Sequence, residues 1–119
     1  MDGEAYLICE SSDLPESGDG IRFEMERGGE RVPAFAIRYR GEVYAWVNRC
    51  AHVGVELDWL PGKFFYDSGL YLVCTTHGAT YLPGNGRCVA GPCKGRALTS
   101  VPVFERNGRV YVKQDGSYG

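Results

Sequence analysis

Apolar positions in this chain alternate with polar ones over short runs, and turn residues punctuate the runs at close intervals. Between Gly20 and Glu26, Ile21, Phe23 and Met25 interleave with Arg22, Glu24 and Glu26, the period-2 mark of a half-buried strand. Val32–Arg40 predicts the next strand, with Pro33 near its start, where a missing N–H matters least. Gly41-Glu42 predicts the turn into Val43–Val47, so 32–47 reads as a hairpin. Gly62–Tyr66 and Leu70–Val73 flank Asp67-Ser68-Gly69 as a second hairpin, and Thr80–Leu82 and Arg87–Ala90 flank Pro83-Gly84-Asn85-Gly86 as a third. In the fourth, Leu98–Glu105 and Arg109–Lys113 flank Asn107-Gly108, a pair that favours a type I′ turn. Ala5–Cys9 opens the chain as a short apolar run, and a helical turn is expected after Ser12-Asp13-Leu14-Pro15. No segment sustains a 3.6-residue period. The pattern predicts a small all-β antiparallel sandwich or barrel over residues 1–113, with 114–119 as a polar, frayed tail.

Composition narrows the class of function. At 119 residues and 13.1 kDa the chain is one domain. A net charge of −2 leaves no basic excess to hold a phosphate backbone, so nucleic acid is not an expected partner. Glycine and proline number 17 and 6. Average usage would give about 14 together, so the chain is rich in turns. Five cysteines are too few for a disulfide scaffold and odd in number, which points to free thiols in a reducing compartment or to metal binding. The start, Met1-Asp2-Gly3-Glu4, has no basic or apolar leader, and no stretch approaches the roughly 20 apolar residues of a membrane span. A soluble, cytoplasmic protein is expected.

Candidate chemistry sits at two places. The chain has two histidines, and each stands beside a cysteine: Cys50-Ala51-His52 and Cys74-Thr75-Thr76-His77. Both motifs follow a predicted strand and lead into a glycine, Gly54 or Gly78. A lone cysteine is ordinarily a small buried hydrophobe, and a lone histidine is ordinarily unremarkable. Two Cys/His pairs at two loop tips, with no histidine elsewhere, are poorly explained that way; metal ligation explains them. Zinc accepts such a set, although its structural sites commonly pair Cys with Cys and His with His. One thiolate and one imidazole per loop also suit an asymmetric two-iron cluster, with both thiolates on one iron and both imidazoles on the other.

These motifs, the continuation His77-Gly78-Ala79-Thr80-Tyr81, the later Gly91-Pro92-Cys93-Lys94-Gly95 and the final Val101-Pro102-Val103 … Arg109-Val110-Tyr111-Val112 together resemble the Rieske [2Fe–2S] domain over nearly the whole chain. The resemblance implies an antiparallel β-sandwich or barrel with two cluster-binding loops at one end, around 50–55 and 74–79, and a covering loop around 91–95 that contains Pro92. It implies one [2Fe–2S] cluster per chain, with Cys50 and Cys74 on one iron and His52 and His77 on the other. The stretch from His52 to Cys74 is longer than the family usually has. Trp59, Phe64, Phe65 and Tyr66 cluster in it, as a docking surface or, preferably, as the packing of an enlarged hairpin.

High-potential respiratory members carry an additional cysteine in each loop, joined as a disulfide; Val55 and Thr76 stand at those positions. They also have a serine where this chain has Ala79, while the tyrosine two residues on is kept as Tyr81. Losing the serine and disulfide favours the lower part of the range of about −150 to +300 mV, with Tyr81 acting against that trend. Of the remaining cysteines, Cys9 is expected in the core, and Cys88 and Cys93 are expected as thiols although a bridge between them is conceivable.

The resemblance implies a soluble ferredoxin that passes single electrons from a flavoprotein reductase to an oxygenase or similar acceptor. The exit would lie at His52 and His77, within an apolar rim of Ala51, Val53, Gly54, Thr76 and Pro92. No nucleophile–base pair is evident, so no enzymatic activity of its own is expected. The alternatives are the small subunit of a larger reductase of the nitrite reductase type and a structural zinc protein.

Overall fold

Successive side chains of a strand point to opposite faces, so a strand buried on both faces reads as a continuous apolar run rather than an alternation. The computed structural model describes residues 4–27, 29–49, 56–58, 62–65, 69–74, 78–91 and 95–114. Strand β1 (Glu4–Glu10) leads through a 3-10 turn (Ser11–Asp13) to β2 (Ile21–Arg27), β3 (Glu30–Tyr39) and β4 (Glu42–Val47). Then come three short strands, β5 (Leu72–Val73), β6 (Thr80–Tyr81) and β7 (Cys88–Ala90), and finally β8 (Ser100–Val101), β9 (Val103–Arg106) and β10 (Arg109–Gln114). Among the described residues they form antiparallel sheets ordered β1-β10-β9, β2-β3-β4-β8 and β5-β6-β7. None of the helices there is long and apolar enough to cross a membrane.

Strand β3 explains how three sheets make one fold. Its Val32, Ala34 and Ala36 join Met25, Val110 and Val112 in a core between the first two sheets. Its Phe35 and Ile37 point the other way, into a core shared with Leu72 and Tyr81 of the third sheet. Phe35 stacks on Phe64 with ring centroids 3.9 Å apart. Pro33 is tolerated in this central strand for a local reason. Its carbonyl accepts the Asn48 N–H, and Ala34 already faces Val47, the last residue of β4, so the absent Pro33 N–H faces the side where β4 has ended.

The expected all-β architecture is present, with hairpins β3–β4, β6–β7 and β9–β10 in the expected segments and with three shifts. Of the expected Gly62–Tyr66/Leu70–Val73 hairpin, the described residues show an isolated bridge between Phe65 and Leu72, and 66–68 lie outside them. The β3–β4 turn is Arg40-Gly41 rather than Gly41-Glu42, because Tyr39 pairs with Glu42. Arg40 and Gly41 have φ of +53° and +81°, the left-handed pair that a two-residue type I′ turn demands. The Glu16 carboxylate accepts both turn N–H groups, which compensates for a non-glycine residue in that conformation. Asn107-Gly108, with φ of +54° and +76°, turns as expected.

The expected strand Leu98–Glu105 is broken at Pro102: Val101 pairs with Ala45 of β4, whereas Val103 pairs with Val112 of β10. Proline has no N–H to continue the first ladder, so the chain changes sheets there. The helical turn lies at Ser11–Asp13, before Pro15 rather than after it, since Asp13 Oδ2 accepts the Glu10 N–H and closes the turn early.

Arg38 ties the first two sheets together. Its guanidinium donates to the carbonyls of Ser11, Leu14 and Gly41 and to the Glu105 carboxylate at 2.7 Å. The hydrogen bond from Arg38 holds the Glu105 carboxyl below the usual carboxylate range, and the same contact raises Arg38. Cys9 is half-buried against this core, as expected, and burial pushes its thiol up to about 11, with the nearby Asp13 carboxylate adding to the shift.

Candidate metal centre

The second Cys/His motif grows out of the β5–β6 hairpin. Leu72 pairs with Tyr81 and Val73 with Thr80, after which Cys74 begins the connection. The Cys74 N–H donates to the Ala79 carbonyl at 2.8 Å, and the Cys74 carbonyl accepts the Gly78 N–H at 2.7 Å. Gly78, at φ +74°, makes the reversal that lets the second bond form. Backbone bonds therefore join Cys74 to Gly78 and Ala79 across the second motif. Cys74 itself has no exposed surface, so its thiol lies at the foot of a closed turn and out of water. A thiolate held there is a donor that zinc or iron accepts.

Three expected loops share one base. Leu57 at the end of the first, Cys74 and Ala79 bounding the second, and Cys88 and Leu98 flanking the third all belong to a single buried cluster with Phe35, Trp46 and Tyr81. Gly91, where the covering segment begins, has φ +94°. A Cβ there would lie 2.8 Å from Ala79 Cα and 3.0 Å from the Gly78 carbonyl oxygen. Glycine is required, and its absent side chain brings the third segment directly onto the second loop.

The first loop is bracketed by a buried polar pair. Asn48 has no exposed surface and Asp58 is 4% exposed. Asn48 Nδ2 donates to Asp58 Oδ1 at 2.9 Å, while Asn48 Oδ1 accepts the Leu57 N–H at 2.9 Å. Asp58 Oδ2 accepts the Gly62 N–H at 2.9 Å and stands 3.4 Å from Arg22 Nε. Arg22 also pairs with Glu56 at 2.7 Å. Sequence reasoning passed over both residues. The available signal was a polar residue ending the apolar run Val43–Val47 and an acid set between Leu57 and Trp59.

Of the residues singled out by sequence, Cys74, Ala79 and Tyr81 are brought together and fully buried. Tyr81 sits in β6 between Leu72 and Cys88. Cys50, His52, Val55, Thr76, His77 and Pro92 lie outside the described residues, as do Trp59, Tyr66 and Cys93. Phe64 and Phe65 are packing residues, stacked on Phe35 and Tyr39 respectively. Cys88 is buried with its sulfur 3.2 Å from the Ala90 carbonyl.

A family model, the Rieske [2Fe–2S] domain, matches residues 4–115. The oxidoreductase NdmD of Pseudomonas putida is 33% identical over 78 residues, which are 60% of this chain and only 12% of that protein's length. Among solved structures, the Sphingomonas yanoikuyae B1 ferredoxin superposes with a TM-score of 0.74 at 21% identity, covering 94% of this chain and 100% of that one. A chain in the complex of reduced oxygenase and oxidized ferredoxin in carbazole 1,9a-dioxygenase gives 0.70 at 24%, covering 92% of each. At these identities the structural likenesses are likenesses of fold.

Proposed function

The chain belongs to the Rieske [2Fe–2S] domain family, and from that premise we propose that it is a one-electron carrier holding one cluster through Cys50, His52, Cys74 and His77. When bound, the cluster supplies a one-electron couple at a potential above that of all-thiolate clusters, because two neutral imidazoles replace two thiolates. The observation that carries this reading is the common base of the loops: Leu57, Cys74 and Ala79 close on one buried core. Residues of that core flank both Cys/His motifs, which supports the reading.

The chain's own residues have distinct tasks. Cys74 offers a thiolate from a buried position, and its two backbone bonds tie it to Gly78 and Ala79. Ala79 offers no hydroxyl where respiratory members have a serine, which sets the potential towards the lower part of the family range, whereas Tyr81 contributes a hydroxyl from β6 and acts against that trend. Pro92 and the rest of 91–95 cover the loops, starting from the close approach of Gly91 to Ala79. Val55 and Thr76 preclude the inter-loop disulfide of respiratory members. Residues 1–113 act as one unit.

The carbazole 1,9a-dioxygenase complex, in which a ferredoxin meets its oxygenase, supports the further proposal that this chain accepts an electron from a flavoprotein reductase and passes it to an oxygenase or similar acceptor in the cytoplasm, without a catalytic site of its own. The 12% share of NdmD favours one second reading, a relay inside a larger oxidoreductase assembly. Absorption and EPR spectra of the protein as isolated test the first claim. The expected result is a brown protein whose reduced form gives the low average g of a histidine-ligated cluster. A colourless protein with stoichiometric zinc overturns it. Size-exclusion chromatography separates the two readings: a monomer favours the carrier, a stable heteromer the relay.

A further inference from the structure

The buried pair Asn48 and Asp58 has no task in the ligand set, yet burying an amide and a carboxylate is costly unless their hydrogen bonds are made. Here they are made in a directional pattern. The Leu57 N–H donates to Asn48 Oδ1, which orients the amide and leaves Nδ2 as the donor to Asp58 Oδ1. The other carboxylate oxygen takes the Gly62 N–H, and Arg22 stands beside it. Both ends of the pattern are anchored in β-structure or its continuation. The Asn48 N–H donates to the Pro33 carbonyl of β3, and the Gly62 carbonyl accepts the Gly20 N–H just before β2. Gly62 has φ +85°, and a Cβ there would stand 3.1 Å from the Gly20 carbonyl oxygen, so the anchor favours glycine.

We propose that Asn48 and Asp58 form a clamp that sets the span of residues 49–57 independently of any metal, and that they are positioning residues for the loop bearing Cys50 and His52. The chain leaves the described structure after Arg49 and returns at Glu56, and the clamp joins residue 48 directly to residues 57 and 58. In the second loop, backbone bonds between Cys74, Gly78 and Ala79 join the described ends. The first loop is longer, and side chains close it instead. The consequence for iron rests on the reading of Cys50 and His52 as ligands. A loop held at its base keeps its donors in place between encounters with solvent, so the clamp slows loss of the cluster.

The pair carries its own control. In Asp58→Asn, one amide donor must face either Asn48 Nδ2 or the Gly62 N–H, so one bond is lost. In Asn48→Asp, two carboxylates meet. With both changes the pattern is restored in reverse: the acid at 48 accepts from Leu57 and from the new amide, whose oxygen accepts from Gly62. Iron release to a chelator, hydrogen exchange over 49–57 and over β10, and the melting temperature are measured on the wild type, both single variants and the double variant.

Each single variant is expected to lose iron and to exchange 49–57 faster by about tenfold, the effect of one unsatisfied buried group, with β10 exchange unchanged. The double variant is expected to return most of the way to wild type. Single variants that match wild type, a double variant no better than the worse single, or exchange accelerated equally in β10 would each overturn the clamp. A wild type that binds no iron defeats the ligand reading instead. Exchange over 49–57 then still decides, since reciprocal rescue upholds the clamp and its absence removes it.

Discussion

The molecule has two halves built on different physics. In the second sheet, strands of 7, 10 and 6 residues pair along full ladders, and the core it shares with the first is filled by alanine, valine, methionine and Leu14. The third sheet has strands of 2, 2 and 3 residues, too short to stand alone. Phe35, Trp46 and Phe64 pack against it and its own Tyr81, and glycines at positive φ bring its loops close. The first half is held by regular pairing that any adequate alternation would supply. The second is held by individual contacts, and those contacts flank the segments proposed to bear the metal ligands. Irregular backbone is tolerated there because a rigid sandwich carries it.

The largest expected effect cuts the halves apart. Cys74→Ser replaces a proposed thiolate ligand with a poor iron donor and is expected to abolish the native EPR signal. Far-UV circular dichroism and hydrogen exchange are expected to show β2, β3 and β10 still folded. Unchanged EPR would remove Cys74 from the ligand set, and collapse of the whole domain would show that the halves are not separable.

Phe35→Ala strikes the residue that joins them. It opens a cavity beneath Phe64 and is expected to cost about 3–5 kcal/mol, read from the urea midpoint. A single cooperative transition shifted by that amount would fit one domain with two cores. Loss of third-sheet protection ahead of the rest would sharpen the division further.

Gly91→Ala is expected to act on the third sheet alone. The new Cβ meets Ala79 at 2.8 Å and the backbone stays at φ +94°, a strain of about 1–3 kcal/mol. Hydrogen exchange over 78–91 reports it, and exchange over β1 and β10 is expected to be unaffected. Acceleration spread evenly through the protein would contradict a local role.

The smallest effect belongs to the sandwich. Glu105 has its carboxyl lowered in the folded state by the Arg38 hydrogen bond. Its contribution is therefore complete above the ordinary glutamate value of 4.5 and is lost as pH falls through the lowered folded value. The pair is partly exposed, so about 1 kcal/mol or less is at stake. Glu105→Gln is expected to flatten that acid limb of the stability curve and leave the cluster spectrum untouched. An identical acid limb in both proteins would show that the pair contributes nothing.

Much of this protein was legible along the chain. Period-2 alternation marked β2, Asn107-Gly108 marked its turn, and two Cys/His pairs with no other histidine marked the metal chemistry. Local sterics and donor chemistry act over a few residues, so a short window contains their cause. The errors were of another kind. Gly41-Glu42 as the turn is one position out, because the Glu16 carboxylate that satisfies the Arg40 and Gly41 N–H groups comes from 24 and 25 residues away. Pro102 reads as strand along the chain, since its neighbours are apolar on either side.

What required the tertiary structure is how distant segments meet. Pairing of β1 with β10 joins the two ends of the domain, and nothing in Glu4–Glu10 names its partner. Asn48 and Asp58 look like ordinary polar residues until their burial makes hydrogen bonding obligatory. The chain itself specifies which groups can bind metal and which runs will be strands, because those are properties of single residues and their spacing. Which loop ends share a core, and which buried polar atoms must find each other, follow only from packing. Excluding water from a site is a collective result of residues far apart in the chain.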